Sequence, residues 1–379
     1  MKQFTAIVLA PPDPAPPRLA GRTAVEWLAA CATEAGYHAT ESAGLSTESA
    51  EASTHLLVLD ARWPLLQAAT VNDLVGRHLE QGADLTLLLS AEGEAVGDDT
   101  LCALCLRRDW LHEASQPPNQ SSMTALAASA VRASARLAAL SLPPEQAQRI
   151  SAMSSLPPIE RELRSRINLR AMESGVRLVD PGTTYIDVGV TIEPGATIHP
   201  NTHLRGDTRI ERGCEIGPNA VIEDAHIGAG SRIGGSTIER STLEPDVVVG
   251  PYSHIRDGAH IGRGARIGNY AEIKNARLGP LTRMHHFGYL GDADVGEDVN
   301  IGAGVVTVNY DGVDKHRTTI GDGAFIGSDT MLVAPVTVGA RARTAAGAVV
   351  INDVAPGELV MGVPARAKTS AQSNPGSSS

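Results

Sequence analysis

Two hydrophobic rhythms divide this chain. In its first part, unbroken apolar runs alternate with amphipathic stretches. Phe4–Ala10 (FTAIVLA), His55–Asp60 (HLLVLD) and Leu85–Ser90 (LTLLLS) are almost wholly apolar, which predicts buried strands. Thr23–Ala35 and Val71–Gln81 carry helical spacing. Strands alternating with helices predict a parallel α/β sheet in a three-layered unit. Leu101–His112 and Met123–Leu142 are expected to be further helical or mixed segments, the Ala-rich Met123–Leu142 being the clearest helix. Gln146–Gly175 reads as a helical connector. Leu156-Pro157-Pro158 opens its second half, where proline is tolerated, and Gly175 stands where a helix ends. Its many Arg and Glu predict a solvent-exposed arm with i,i+4 pairs.

From Ile186 the period changes to six. Ile192, Ile198, Leu204, Ile210 and Ile216 keep strict register, and Ile255, Ile261 and Ile267 continue it. Val295 and Ile301 follow, then Ile320, Ile326, Leu332 and Val338, with five-residue steps such as Ile222 to Ile227 and Ile273 to Leu278. Each hexad predicts one short parallel strand and one turn. Three make a coil of a prism, with the aliphatic residue inward and Gly, Asp, Asn or Pro at the corner. Stacked coils satisfy one another's backbone groups. The rhythm lapses between Ile301 and Ile320, where VVTVNYDGVDKHRTT predicts an extruded loop of the kind that carries binding sites.

Composition agrees with that architecture. Aromatics are only 3% of the 379 residues, while Gly numbers 38 and Pro 23. Short stacked rungs need small and β-branched side chains rather than large ones. The net charge of −11 argues against a general nucleic-acid role. The four cysteines are too few for a disulfide scaffold, and Cys102-x-x-Cys105, without a second pair, reads as incidental buried thiols. With neither a signal segment nor a long apolar run, a cytoplasmic location without membrane contact is expected. The polar tail after Ala365 is expected to be disordered.

Superimposed on the hexads between Arg256 and Ser328 are residues that break the rhythm and can do chemistry: Lys274, His285, His286, Tyr289, Asn300, Asn309, Tyr310 and Lys315. The segments GPYSHIR (250–256), IGNYAEIKNARLG (267–279), HFGYLGDADVGEDVNIGAG (286–304), VNYDGVDKHRT (308–318) and IGSDTMLVAPVTVG (326–339) give the chain away further. Together they resemble the acetyltransferase half of the bifunctional glucosamine-1-phosphate N-acetyltransferase/N-acetylglucosamine-1-phosphate uridylyltransferase family. The resemblance covers roughly Gly175 to Val350, about half the chain. It implies an α/β nucleotidyltransferase-like N-terminal domain and an all-β, left-handed parallel β-helix C-terminal domain. The expected divisions are 1–142 for a reduced nucleotidyltransferase-like domain, 143–177 for a helical linker arm, 178–367 for the β-helix, and 368–379 for the tail. A homotrimer with sites between subunits is implied.

The same resemblance implies transfer of acetyl from acetyl-CoA, as co-substrate, to the amine of an amino-sugar phosphate. His286 matches the general base, with His285 its competitor. Glu272 matches a carboxylate that orients the imidazole. Arg256, Lys274, Tyr289 and Lys315 match phosphate and sugar contacts, and Asn300 a sugar contact. Asn309 and Tyr310 match residues near the acyl donor and the amine, Asn309 with a catalytic share. Ala303, Ser328 and Ala346 match positions lining the pantetheine, Ser328 as a donor to the thioester. Gly362 stands where the family often has a CoA-binding Arg, with Arg366 as the substitute. No metal is required for this half-reaction.

The N-terminal half departs from the family pattern. After AIVLA (6–10) the family has a Gly-rich phosphate loop; here the sequence is PPDPAPPR. Proline lacks the N–H that such a loop points at phosphates. Alignment on Pro64-Leu65 puts Arg62 at the family's Mg²⁺-ligand position, with Asp60 two residues away. Loss of uridylyl transfer is therefore expected, and Mg²⁺ would be needed only if it survives. The alternatives are a working bifunctional enzyme, an acetyltransferase for another amino sugar, and a non-catalytic trimeric scaffold.

Overall fold

A computed structural model describes residues 4–10, 18–42, 53–90, 96–97, 99–110 and 123–367. The chain divides into two compact units, Met1–Arg164 and Ser165–Ser379. Both the proline-rich residues 11–17 and the tail 368–379 lie outside the described residues.

The first unit holds a six-stranded sheet. In chain order its strands are β1 (Phe4–Leu9), β2 (His38–Ser42), β3 (His55–Asp60), β4 (Leu85–Leu89), β5 (Leu101–Arg107) and β6 (Leu137–Ser141). Their order across the sheet is β2-β1-β3-β5-β4-β6. Helices α1 (Ala24–Glu34) and α2 (Ala68–Glu80) share one apolar cluster with the sheet, and α3 (Met123–Arg132) shares the other. The three layers expected from the alternation are therefore present. Thr23 caps α1 with its hydroxyl, and Glu26 reaches back to the Thr23 backbone N–H.

Two stretches of the first unit depart from expectation, while the cysteines follow it. Leu101–Arg107 is not helical but a strand, antiparallel to both β3 and β4, so the sheet is mixed rather than parallel. Leu101–Leu106 is buried throughout. A central strand covered on both faces has no polar side, and a short apolar run of this kind does not distinguish strand from helix. The run Met123–Leu142 is a helix only to Arg132; Ser134 adopts φ 54° and the chain turns into β6. Cys102 and Cys105 are buried in β5, where burial pushes both thiols up, away from thiolate chemistry.

Beside the sheet, His78 is 1% exposed and pairs through Nδ1 with the Thr86 hydroxyl at 2.9 Å. Burial pushes its pKa down to about 4, with His55 and Arg107 adding in the same direction and Asp84 opposing. The imidazole is thus neutral when folded and takes up a proton near pH 6.5 when unfolded. Between those values the unfolded state binds more protons, so stability is lost as pH falls, by about 1.4 kcal/mol per pH unit. Urea titrations at pH 7 and pH 5 should show this loss in the first unit and a smaller one in His78→Gln. An equal loss in the variant would assign the acid sensitivity to other groups.

Helix α4 (Leu156–Glu173) bridges the boundary between the units. It is not the fully exposed arm expected. Leu156, Ile159 and Leu163 pack into one apolar cluster and Ile167 and Ala171 into another, a stripe hidden in the sequence by the surrounding Arg and Glu. Gly175 ends the helix at φ 94°.

The second unit is the left-handed parallel β-helix. Three sheets of 12, 10 and 9 short strands form its faces, each strand pairing with the one three positions along the chain until the C-terminal end, where Leu359–Met361 pairs with Arg343–Thr344 and, antiparallel, with Arg366–Ala367. The aliphatic hexad residues make one continuous core. The first rung, Arg177–Leu178, precedes the rhythm's apparent start at Ile186, because the 3₁₀ turn Pro181–Thr183 lengthens that step and masks it. In the lapse, Val306–Val308 and Thr318–Ile320 remain coil strands, so only residues 309–317 leave the prism. A backbone bridge between Tyr310 and Lys315 folds that loop on itself.

Candidate active site

Period-2 alternation builds one face of the site. Ile255, Ile273 and Leu290 point into the core. Their neighbours Arg256, Glu272, Lys274 and Tyr289 therefore point outward, on the ten-stranded sheet. Register stacks Arg256 on Lys274, and Glu272 on Tyr289. Tyr289 lies back along its own strand over Gly291; a Cβ at Gly291 would collide with the Tyr289 hydroxyl and ring. The missing side chain there makes room for the tyrosine.

The cations on this face are already engaged. Arg256 donates from Nε and Nη2 to Glu272 Oε1, at 3.0 and 2.5 Å, and from Nη1 to Asp257 Oδ2 at 2.7 Å. Lys274 Nζ lies 3.9 Å from Asp257 Oδ2, and Arg240 Nη2 donates to Asp257 Oδ1 at 2.6 Å. Hydrogen bonding to Glu272 raises the Arg256 pKa, and the Arg240 bond holds the Asp257 carboxyl below the usual carboxylate range. Glu272 is thus turned to Arg256, not to an imidazole. Among the described residues no side chain hydrogen-bonds His285 or His286, and both are exposed.

One edge of the face carries the histidine. Met284, Ile301, Ile326 and Thr344 are register partners in successive coils of the twelve-stranded sheet. Two residues after each comes the corner, which stacks His286, Ala303, Ser328 and Ala346 in one column. Backbone bonds from Gly304 to Phe287, Asp329 to Ala303 and Gly347 to Ser328 tie that corner together at 2.7–2.8 Å. A column of small residues below an exposed imidazole leaves this corner unobstructed for a thin chain to lie against. On the same edge Tyr252, Tyr270 and Phe287 are exposed, the two tyrosines stacked at 5.5 Å.

At the opposite edge, Asp257, Asn275 and Asp292 occupy successive left-handed corners, and the loop 309–317 leaves from there. Asn309 bonds Asp292, Tyr310 donates its hydroxyl to Gly312 O at 2.7 Å, and Lys315 is exposed. Asp311 accepts from the Asp314 and Val313 N–H groups and from His316, which holds its carboxyl well below the usual range.

Not every expected residue joins this face. Asn300 lies on the twelve-stranded sheet, between Arg283 and Phe325 in the ladder, so a single chain does not bring it beside Arg256 and Tyr289. Gly362 makes a left-handed turn at φ 93°, and the exposed Arg366 pairs with Met361 across it. Arg240, Asp257 and Asp292 went unnoticed in the sequence. Asp and Asn recur at so many corners that nothing distinguishes the few that hold partners.

In the first unit, Arg62 Nε donates to both carboxylate oxygens of Asp60, at 3.0 and 2.8 Å, and the Arg62 backbone N–H donates to Oδ1 at 2.9 Å. A carboxylate so neutralised does not fit a divalent cation. Among the described residues there is no cluster of three or more His, Cys, Asp or Glu able to hold a metal.

The bacterial transferase hexapeptide (six repeats) family model matches residues 189–224, 240–275 and 317–352. The chain is 37% identical over 343 residues to the bifunctional protein GlmU of Pelobacter propionicus, covering 81% of this chain and 75% of that one. It belongs to the GlmU family. The GlmU of Trichlorobacter lovleyi is 35% identical over 81% of this chain and 75% of its own length. With the GlmU of Streptomyces avermitilis identity rises to 47%, but the match spans 54% of this chain and only 43% of that relative. As a GlmU-family chain built on transferase hexapeptides, it is an acyltransferase. Among the described residues no helix is long and apolar enough to cross a membrane.

Proposed function

We propose that this chain transfers acetyl from acetyl-CoA to the amine of glucosamine-1-phosphate, within UDP-N-acetylglucosamine biosynthesis, and has lost uridylyl transfer. One observation carries this reading: His286 heads the small-residue corner column of Ala303, Ser328 and Ala346, at the edge of the face holding Arg256, Lys274 and Tyr289. The acyl donor would lie along the corner, and the phosphate on the cations.

In the reaction, neutral His286 takes a proton from the sugar ammonium. The freed nitrogen lone pair attacks the thioester carbonyl carbon. The tetrahedral intermediate sheds its second N–H proton to water, the oxyanion collapses, the C–S bond breaks, and the leaving thiolate takes the proton from the imidazolium, giving the neutral amide, a free thiol and one proton in solvent. In this reading Ser328 donates to the carbonyl oxygen, and Arg256, Lys274 and the loop residue Lys315 meet a dianionic phosphate. Asn300, on the next face, and the exposed Tyr252, Tyr270 and Phe287 fit a homotrimer in which a second copy completes the site. The Asp60–Arg62 pair supports loss of Mg²⁺-dependent uridylyl transfer.

Thiol release from acetyl-CoA, measured with glucosamine-1-phosphate, glucosamine and a UDP-linked amino sugar, tests the reading. Release is expected with the sugar phosphate alone. Preference for another acceptor would replace the substrate, and no release with any acceptor would favour a scaffold. Equilibrium titration with UTP and Mg²⁺ should show no tight binding; tight binding would restore the bifunctional alternative.

Asp257 bears on the phosphate directly. It sits among Arg240, Arg256 and Lys274, where a bound phosphate must compete with its carboxylate. Asp257→Asn should lower the KM for the sugar phosphate, by roughly threefold to tenfold, with kcat little changed. A raised KM would mean that Asp257 instead holds the cations in place.

A further inference from the structure

Asp292 is 7% exposed, yet the chemistry above does not use it. It occupies a left-handed corner at φ 50°. Its two carboxylate oxygens are divided between two amides: Asn275 Nδ2 donates to Oδ1 at 2.5 Å and Asn309 Nδ2 donates to Oδ2. Its backbone is engaged as well. The Asp292 N–H donates to Lys274 O at 3.1 Å, and its carbonyl accepts from the Thr318 N–H at 3.1 Å. Asn309 and Thr318 flank the extruded loop, so this one residue grips both ends of it. Arg317 lies near, held by Asp294, and feels the Asp292 charge.

We propose that Asp292 is a positioning residue that clasps the loop 309–317 and fixes which way the Asn309 amide faces. An ionised carboxylate has no proton to give, so the Asn309 atom facing it must be nitrogen. The carbonyl oxygen Oδ1 is then the end turned away from Asp292. Asn309 therefore presents an acceptor, suited to an ammonium or amine N–H, and not a donor suited to an oxyanion. The proposal rests on the reading of Asn309 as part of the acetyl-transfer site. The loop clasp itself is independent of that reading.

The test uses the full chain with Asp292→Asn, Asn309→Ala and the exchanged pair Asp292→Asn/Asn309→Asp. Hydrogen exchange of the loop amides is the readout that needs no activity. Loop protection should fall in both single variants and recover in the exchanged pair, where an amide again faces a carboxylate. In the acetyl-transfer assay Asp292→Asn should lower kcat by roughly tenfold to a hundredfold, with the sugar-phosphate KM changed far less. The same change made in the Asn309→Ala background should cost little more, since both remove one interaction. Full loop protection in both single variants would overturn the clasp. Losses that simply multiply would overturn the coupling to Asn309 and leave Asp292 a structural residue. Should Asp292→Asn fail to fold, Asn309→Ala alone still decides the clasp, because Asn309 is only half-buried. Should the wild type acetylate no amino sugar, the assigned function fails, while the exchange data still judge the clasp.

Discussion

Replacing His286 with alanine is expected to lower kcat for acetyl transfer by roughly a hundredfold to ten-thousandfold, the range for loss of a general base. An ammonium cannot attack a thioester until a proton leaves it, and no other imidazole heads the small-residue corner column. Because His286 is exposed, truncation removes no core packing, and the thermal midpoint should stay within a degree or two of wild type. His285→Ala is the control. It precedes the corner column, and its loss should cost little. If the two variants exchange behaviour, the base is His285; if neither loses rate, the corner is not the reaction centre.

Arg256→Ala should raise the KM for the sugar phosphate by roughly tenfold to a hundredfold, about what one charge-assisted, fork-shaped contact supplies. Two effects add. The guanidinium is lost to the phosphate, and Glu272 loses the partner that neutralises it. The face then carries an uncompensated carboxylate where a dianion must dock. Arg256→Lys should fall between, since it keeps the charge but not the fork. Initial-rate kinetics at fixed ionic strength separates KM from kcat. Equal KM values in all three proteins would remove Arg256 from the phosphate site and favour an acceptor without a terminal phosphate.

How much of this was legible beforehand varied with the kind of interaction. Periodicity predicted the prism because a strand presents alternate residues to one side, so an inward Ile255 or Ile273 commits Arg256 and Lys274 to the outside. The first unit was less legible. Leu101–Arg107 is apolar at every position but the last, and a strand buried on both faces has no alternation to read. The stripe of α4 was obscured because Arg and Glu fill most positions between Ile159, Leu163 and Ile167.

The sequence by itself determined the repeat, the coil faces, the extruded loop and the candidate residues His286, Arg256, Lys274, Tyr289 and Asn309. The repeat, the faces and the loop follow from period, and the candidate residues from the family resemblance that local motifs carry; both are properties of neighbours along the chain. Only the tertiary structure decided the partners. It turned Glu272 to Arg256, closed Arg62 on Asp60, put Asn300 on a different face, and buried Asp292 between Asn275 and Asn309. Apart from Arg62 and Asp60, which stand two positions apart, those pairings join residues 16 or 17 positions apart on successive coils. Which carboxylate of several finds a cation or an amide depends on coil stacking and side-chain reach, and neither is encoded in a six-residue period.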